Sequence, residues 1–400
     1  MSNNNLEASQ KDTKFTFLVL GFRPFFLAAG VFSVLSMLVW MLMYGFGLQV
    51  SLAGLASPYW HAHEMLYGFT MAVVAGFLLT AVKNWTGQQT IQNRALLTLC
   101  LMWLGARICM LLGSNFFIAA AILDLSFNLF LFAAVLQPIF KVKQWRQVGI
   151  VSKVFLIGLF NALFYFGLFG YLDEGIYWGV YGGLFLLLAL VLTMGRRVMP
   201  FFIEKGVDYP VQLKNSKLLD ISSLFLFLAF AISEVFLLNG EISSYFAMPL
   251  FIISCIRLYN WHTRGIWSKP LLWGIYSAFI VMTLGFLLFA LLPYVDVITR
   301  SLSLHAFTLG GFGLMTLSMM SRVTLGHTGR GVKQPSPWII LAQWLLLMGV
   351  ISRVVVPLFL QNLYMESVFM SQLLWITGFA LFVLVNAPFL TRARADGAEG

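Results

Sequence analysis

Apolar residues in this chain come in long blocks of about 20, the length that crosses a bilayer as a helix. Twelve blocks follow one another, at roughly 25–47, 60–82, 94–112, 115–138, 149–170, 175–195, 218–238, 245–260, 270–292, 300–321, 337–359 and 367–388. The block at 245–260 is the shortest. None alternates apolar and polar residues as a barrel strand does, and in lipid only helices and closed barrels satisfy the backbone. The pattern predicts an all-α polytopic transmembrane helical bundle of twelve spans, with the lipid bilayer as its main partner.

The polar residues between the blocks set the orientation. Assigning successive connections to alternate sides puts 22 of the 25 Lys and Arg residues on one side, from Lys11, Lys14 and Arg23 through to Arg392 and Arg394. The other side receives Arg300, while Arg107 and Arg353 fall inside spans. This is the positive-inside signature, and it places both termini in the cytoplasm. The expected plan is a cytoplasmic amino-terminal segment at 1–24, a twelve-helix domain at 25–390 and a cytoplasmic tail at 391–400.

Composition agrees with this plan. The chain is 60% hydrophobic and 10% charged with a mean hydropathy of +0.87, where soluble proteins carry about 25% charged residues. The net charge of +10 is therefore a topology signal, and nucleic-acid binding is not expected. The residues through about Thr13 lack a signal-peptide pattern. Cys100, Cys109 and Cys255 form no disulfide framework, and without C-x-x-C-H a covalently attached c-type haem is excluded.

The longest connection, from about Arg196 to Lys217, contains Pro200, Glu204, Asp208 and Pro210 and separates six spans from six. A faint internal echo accompanies this division. Span two runs from His63 through Gly68 to Thr86-Gly87, and span ten from His305 through Gly310 to Thr328-Gly329, with identical spacing. Duplication and chance likeness between apolar segments both account for it.

The candidate chemistry lies with five histidines: His61, His63, His262, His305 and His327. Imidazole is rare within hydrocarbon unless it finds a partner. His61 and His63 enter span two by about 5 and 8 Å, and His305 enters span ten by about 7 Å. All three fall near the same, periplasmic face. His61 and His63 diverge by about 200° around their helix, so both cannot face one site. His305 with His61 or His63 offers the axial ligands of a haem; headgroup-level histidines making ordinary hydrogen bonds are the alternative. His262 and His327 lie on the cytoplasmic side, as candidates for a second metal site or as surface histidines. His327 is about 33 Å along the helix from His305, so one haem cannot use both.

Charged residues inside spans are Arg107, Asp124, Glu234 and Arg353, and Glu64 belongs with them. Arg107 and Asp124 sit on consecutive helices and can pair; alternatively Arg107 or Arg353 holds haem propionates bidentately. Methionines such as Met315, Met319 and Met320 read as packing, with a soft copper ligand as the minority reading. No P-loop, H-E-x-x-H or Ser-His-Asp arrangement is present, and no catalytic residue is assigned.

Several segments carry a recognisable pattern: Gly21-Phe22-Arg23-Pro24-Phe25-Phe26, Trp60-His61-Ala62-His63-Glu64-Met65, and Ser321-Arg322-Val323-Thr324-Leu325-Gly326-His327-Thr328-Gly329-Arg330. Together they resemble the NnrS family of bacterial inner-membrane proteins, over essentially the whole chain. The resemblance implies a haem- and copper-containing protein linked to nitric oxide metabolism and nitrosative stress, with haem b as the cofactor, copper beside it and nitric oxide as ligand. It transfers no residue-level ligand map. Spans six and seven hold no histidine, which sets the chain apart from haem-copper oxidases. Two rivals stay open: an oxidoreductase turning over nitric oxide or quinol at the same haem, and a twelve-helix secondary transporter.

Overall fold

The computed structural model describes residues 16–52, 54–237 and 240–397. Lys11, Lys14 and the rest of the expected amino-terminal segment before Thr16 lie outside the described residues, as do residues 398–400 of the tail. The described residues form an all-helical, multi-pass membrane protein with twelve membrane-length apolar helices. They are α1 (Phe22–Phe46), α2 (Ser57–Thr86), α3 (Asn93–Leu112), α4 (Ser114–Lys141), α5 (Trp145–Leu168) and α6 (Gly175–Gly206), then α7 (Lys217–Leu237), α8 (Gly240–Trp261), α9 (Pro270–Leu291), α10 (Arg300–His327), α11 (Pro337–Phe359) and α12 (Gln361–Thr391).

Local chemistry sets many of the ends. Thr299 caps α10 by accepting from the Leu302 N–H, and Ser216 caps α7 by accepting from the Leu219 N–H. Proline in the first turn starts α2, α9 and α11, where its missing N–H costs nothing. A serine followed by proline reads in sequence as a cap and first helical residue, but Ser57 does not cap α2. Ala56 takes that position and Ser57 is the first helical residue. At their far ends α1 and α2 stop at Gly47 and Gly87, both left-handed.

The long connection after α6 is shorter than the sequence indicates. Arg196, Arg197, Pro200 and Glu204 all belong to α6, which continues to Gly206. Proline is tolerated inside a membrane helix because neighbours satisfy the freed carbonyl. What remains, residues 207–216, is pinned: Glu204 Oε1 accepts from the Leu213 N–H at 2.9 Å. Asp208 pairs with Lys269 at 2.5 Å and Lys333 at 3.0 Å.

The chain divides into two compact units. The first comprises residues 1–183, 320–332 and 379–400, the second 184–319 and 333–378, so three divisions fall inside α6, α10 and α12 and the fourth between α10 and α11. In each unit helical winding widens to a π-helix near buried charge. The first unit has one such segment, Glu64–Thr70, directly after His63. The second has Ser233–Leu237, Ala306–Leu314 directly after His305, and Ile351–Val355. π-segments are rare and concentrate at functional sites.

Candidate functional site

In the first unit, α2, α3 and α4 bring four ionisable side chains into a closed ring, against which α5 packs. Glu64 opens the π-segment of α2 and its Oε1 accepts from Arg107 Nη1 at 2.6 Å and from His63 Nδ1 at 2.9 Å. Arg107 Nη2 lies 2.6 Å from Asp124 Oδ2. The same Asp124 oxygen is 3.6 Å from His63 Nε2, which closes the ring. Asn161 Oδ1 stands 3.1 Å from His63 Nε2, and Tyr165 OH donates to Asp124 Oδ2 at 3.1 Å. His63, Glu64, Arg107, Asp124 and Asn161 are all buried. Burying such charges is tolerable only because each finds an opposite charge or a hydrogen bond.

The ring needs room, and two glycines provide it. A Cβ at Gly68 would strike the Phe32 ring and sit 3.1 Å from Arg107 Cδ, so glycine lets the arginine stem cross α2. A Cβ at Gly183 would collide with Tyr67 OH, which donates to Gly179 O at 2.6 Å. The wide winding of α2 is also served by side chains: Trp103 Nε1 donates to Gly68 O at 2.9 Å and Thr70 Oγ1 to Met65 O at 2.8 Å.

His61 faces elsewhere. Its ring stacks on Trp40 of α1, centroids 4.6 Å apart and planes 11° apart, and it is half-buried. His63 instead stacks on Phe164 of α5 at 4.2 Å. The two imidazoles thus serve different neighbours, as two residues of helical rotation require.

The second unit repeats part of this plan. His305 ends the first turns of α10, and its Nδ1 donates to Ser301 O at 2.7 Å. That bond leaves Nε2 as the lone-pair nitrogen, the tautomer that metal-ligating histidines adopt. Arg353, in the π-segment of α11, donates from Nη2 to Ser301 Oγ of α10 at 2.8 Å and to Tyr364 OH of α12 at 3.3 Å. An arginine on the middle helix therefore ties three consecutive helices in both units: α2–α3–α4 in the first, α10–α11–α12 in the second. The glycines of span ten support close packing there. A Cβ at Gly310 would strike Val281, one at Gly311 Met282, and one at Gly313 Trp375. Arg300 also has a defined role, bonding Glu234 Oε2 at 2.9 Å and Glu234 O at 3.0 Å.

The remaining histidines lie apart from these clusters. His262 is exposed and its Nε2 accepts from Trp267 Nε1 at 3.1 Å. His327 packs its ring 5.5 Å from Phe22.

A haem or metal can be tested against these donors. His63 does not fit as a ligand, since both ring nitrogens face oxygen partners within the ring of charges. Arg107 does not fit as a propionate clamp, because its guanidinium is spent on two carboxylates. His305 fits by tautomer, and His61 by its flat aromatic surroundings. Among the described residues no three His, Cys, Asp or Glu are grouped to hold a metal ion, so copper finds no such set there. Haem iron takes one or two protein ligands and does not need one.

Sequence reasoning missed Asn161, Tyr165 and Tyr67 at the ring. The signal was an asparagine in an otherwise apolar span, whose polar group must find a partner. No curated protein matches the chain. The model of the NnrS protein family matches residues 16–394, and the chain belongs to that family.

Proposed function

We propose that this chain is a haem b-containing inner-membrane protein of the nitric oxide and nitrosative stress response, with both termini cytoplasmic. Family membership supports a membrane protein related to the nitric oxide response. The observation that carries the haem reading is the His305 Nδ1–Ser301 O bond of 2.7 Å, which presents Nε2 in ligating form. His305 is the ligand histidine of the second unit and His61 the candidate of the first. A haem held by His305 would supply an iron able to bind nitric oxide. The protein's own part is to fix the imidazole tautomer.

Arg353 is the candidate for holding a propionate, since its two named acceptors are hydroxyls that a carboxylate can replace. Copper, implied by the family, would have to be held by fewer than three of the described residues or by groups of another kind.

The test is the purified full-length protein. Its reduced-minus-oxidised spectrum and pyridine haemochrome should report haem b. His305→Ala should remove most of that haem while the protein still inserts. Full haem occupancy in that variant sinks the assignment. Anaerobic titration of nitric oxide into the ferrous protein should shift the Soret band.

A further inference from the structure

Two segments that carry the family pattern, Gly21–Phe26 and Ser321–Arg330, take no part in the sites above. Both belong to the first unit, and the structure brings them together with the carboxyl-terminal tail. Arg23 is fully buried, and its Nη1 donates to the carbonyls of Phe389 at 3.3 Å, Leu390 at 3.1 Å and Arg392 at 2.7 Å. Arg394 Nη1 donates to His327 O at 3.1 Å, and Ala395 N–H to Thr328 O at 3.0 Å. The Arg330 guanidinium lies 4.2 Å over the Phe389 ring.

Loops on a positive side are commonly basic, but this cluster differs from a loop. One of its cations is wholly buried, and the other two join it from two further chain segments. Acidic residues here are scarce. Of those described in the first unit, Glu64 and Asp124 are closed in the ring, and Asp173 and Glu174 lie at the far ends of the helices, between α5 and α6. Asp396 alone stands here, gripping Arg394 with both oxygens at 2.9 and 2.6 Å. Its carboxylate lies against Gly329, where φ is +72° and a Cβ would meet it.

We propose that Arg23, Arg330 and Arg394 form an anion site for a phosphate group, with Asp396 as a tethered carboxylate competing for Arg394. Arginine forks match phosphate oxygens bidentately, and Arg330 and Arg394 are only half-buried. Arg23 supplies fixed positive charge from below. The helix ends where the cluster sits are the depth of lipid headgroups, so the phosphate is either the phosphodiester of an anionic lipid or free phosphate.

The experiment uses the full chain in detergent. Inorganic phosphate is titrated against chloride at equal ionic strength while thermal unfolding is followed. Retention of phosphatidylglycerol against phosphatidylcholine is read in parallel by native mass spectrometry. Protection by phosphate identifies the free anion; selective retention of phosphatidylglycerol without it identifies the lipid. Either interaction should weaken about tenfold or more in R330Q/R394Q, which lacks two charge-assisted donors. It should strengthen in D396N, an exposed change that leaves packing intact. The proposal is overturned if neither probe binds, or if D396N leaves both affinities where they were.

Discussion

The Arg107 guanidinium and the Asp124 carboxylate, on consecutive helices, meet at 2.6 Å with neither open to solvent. Arg107 also holds Glu64, so it neutralises two buried carboxylates at once. Removing it would strand both. Arg107→Ala should therefore lower stability by about 3–5 kcal/mol, the usual result of breaking a buried ion pair. Asp124→Asn, which keeps the shape and a polar contact, should cost less. Thermal unfolding of the purified variants in one detergent measures the order; a silent Arg107→Ala would mean the ring is not closed in the native protein.

The two histidines of α2 should separate cleanly. His63 is tied to Glu64 and Asn161, while His61 stacks on Trp40. His63→Asn should reduce the yield and melting temperature yet leave haem per folded protein unchanged. His61→Ala should have the reverse profile, with good folding and reduced haem. Haem loss confined to the His63 variant would reverse the assignment of the pair.

Gly313 is a packing test in the second unit. A methyl there lands on the Trp375 ring, so Gly313→Ala forces the indole or α12 to move. Overpacking of this kind costs about 1–3 kcal/mol. Gly313→Ala combined with Trp375→Phe should recover part of the loss, which separates a steric cause from a loss of backbone freedom.

Asp208 gives a pH test outside the membrane. Hydrogen bonds from Lys269 and Lys333 hold its carboxyl below the usual carboxylate range. A depressed acid contributes stability that is complete above its unfolded value, about 3.9, and lost as pH falls through the folded value. Wild type should thus exceed Asp208→Asn by a constant margin at neutral pH, and the two should converge in acid. The side chain is well exposed, so the margin should shrink with added salt. A margin that grows as pH falls would exclude the ion pair as its source.

Much of the fold was legible because lipid imposes a simple code. Twelve apolar blocks predicted twelve spans, and each has its helix. Boundaries were less legible. Arg196, Arg197 and Glu204 read as loop because they are charged, yet α6 continues about three turns further, to Gly206. The pairing of Arg107 with Asp124 was foreseen as one of two readings, since neighbouring helices oppose their charges. Glu64 was grouped with these charges and His63 read as a haem or metal ligand, but that the two close a ring with the pair was not foreseen. Nothing in helical periodicity reveals that winding widens after His63, because that depends on which backbone carbonyls neighbours such as Trp103 can satisfy.

The same widening has a consequence for any attempt to edit this chain by length. A π-turn accommodates more residues than an α-turn for the same advance, so the two ends of α2 and of α10 are out of step with simple α-helical counting. Deleting one residue between Glu64 and Thr70 can be absorbed by tightening the winding to α, which leaves both flanks facing as before. The same deletion in the plain α-winding after Thr70 has no such slack, and what lies upstream then swings by about 100° relative to what lies downstream. His63 would leave its carboxylates and His61 would leave Trp40, although no contacting side chain had been touched. The two π-segments are therefore where α2 and α10 tolerate the loss of one residue, and comparing deletions inside and outside them separates a change of winding from a rotation of the histidines.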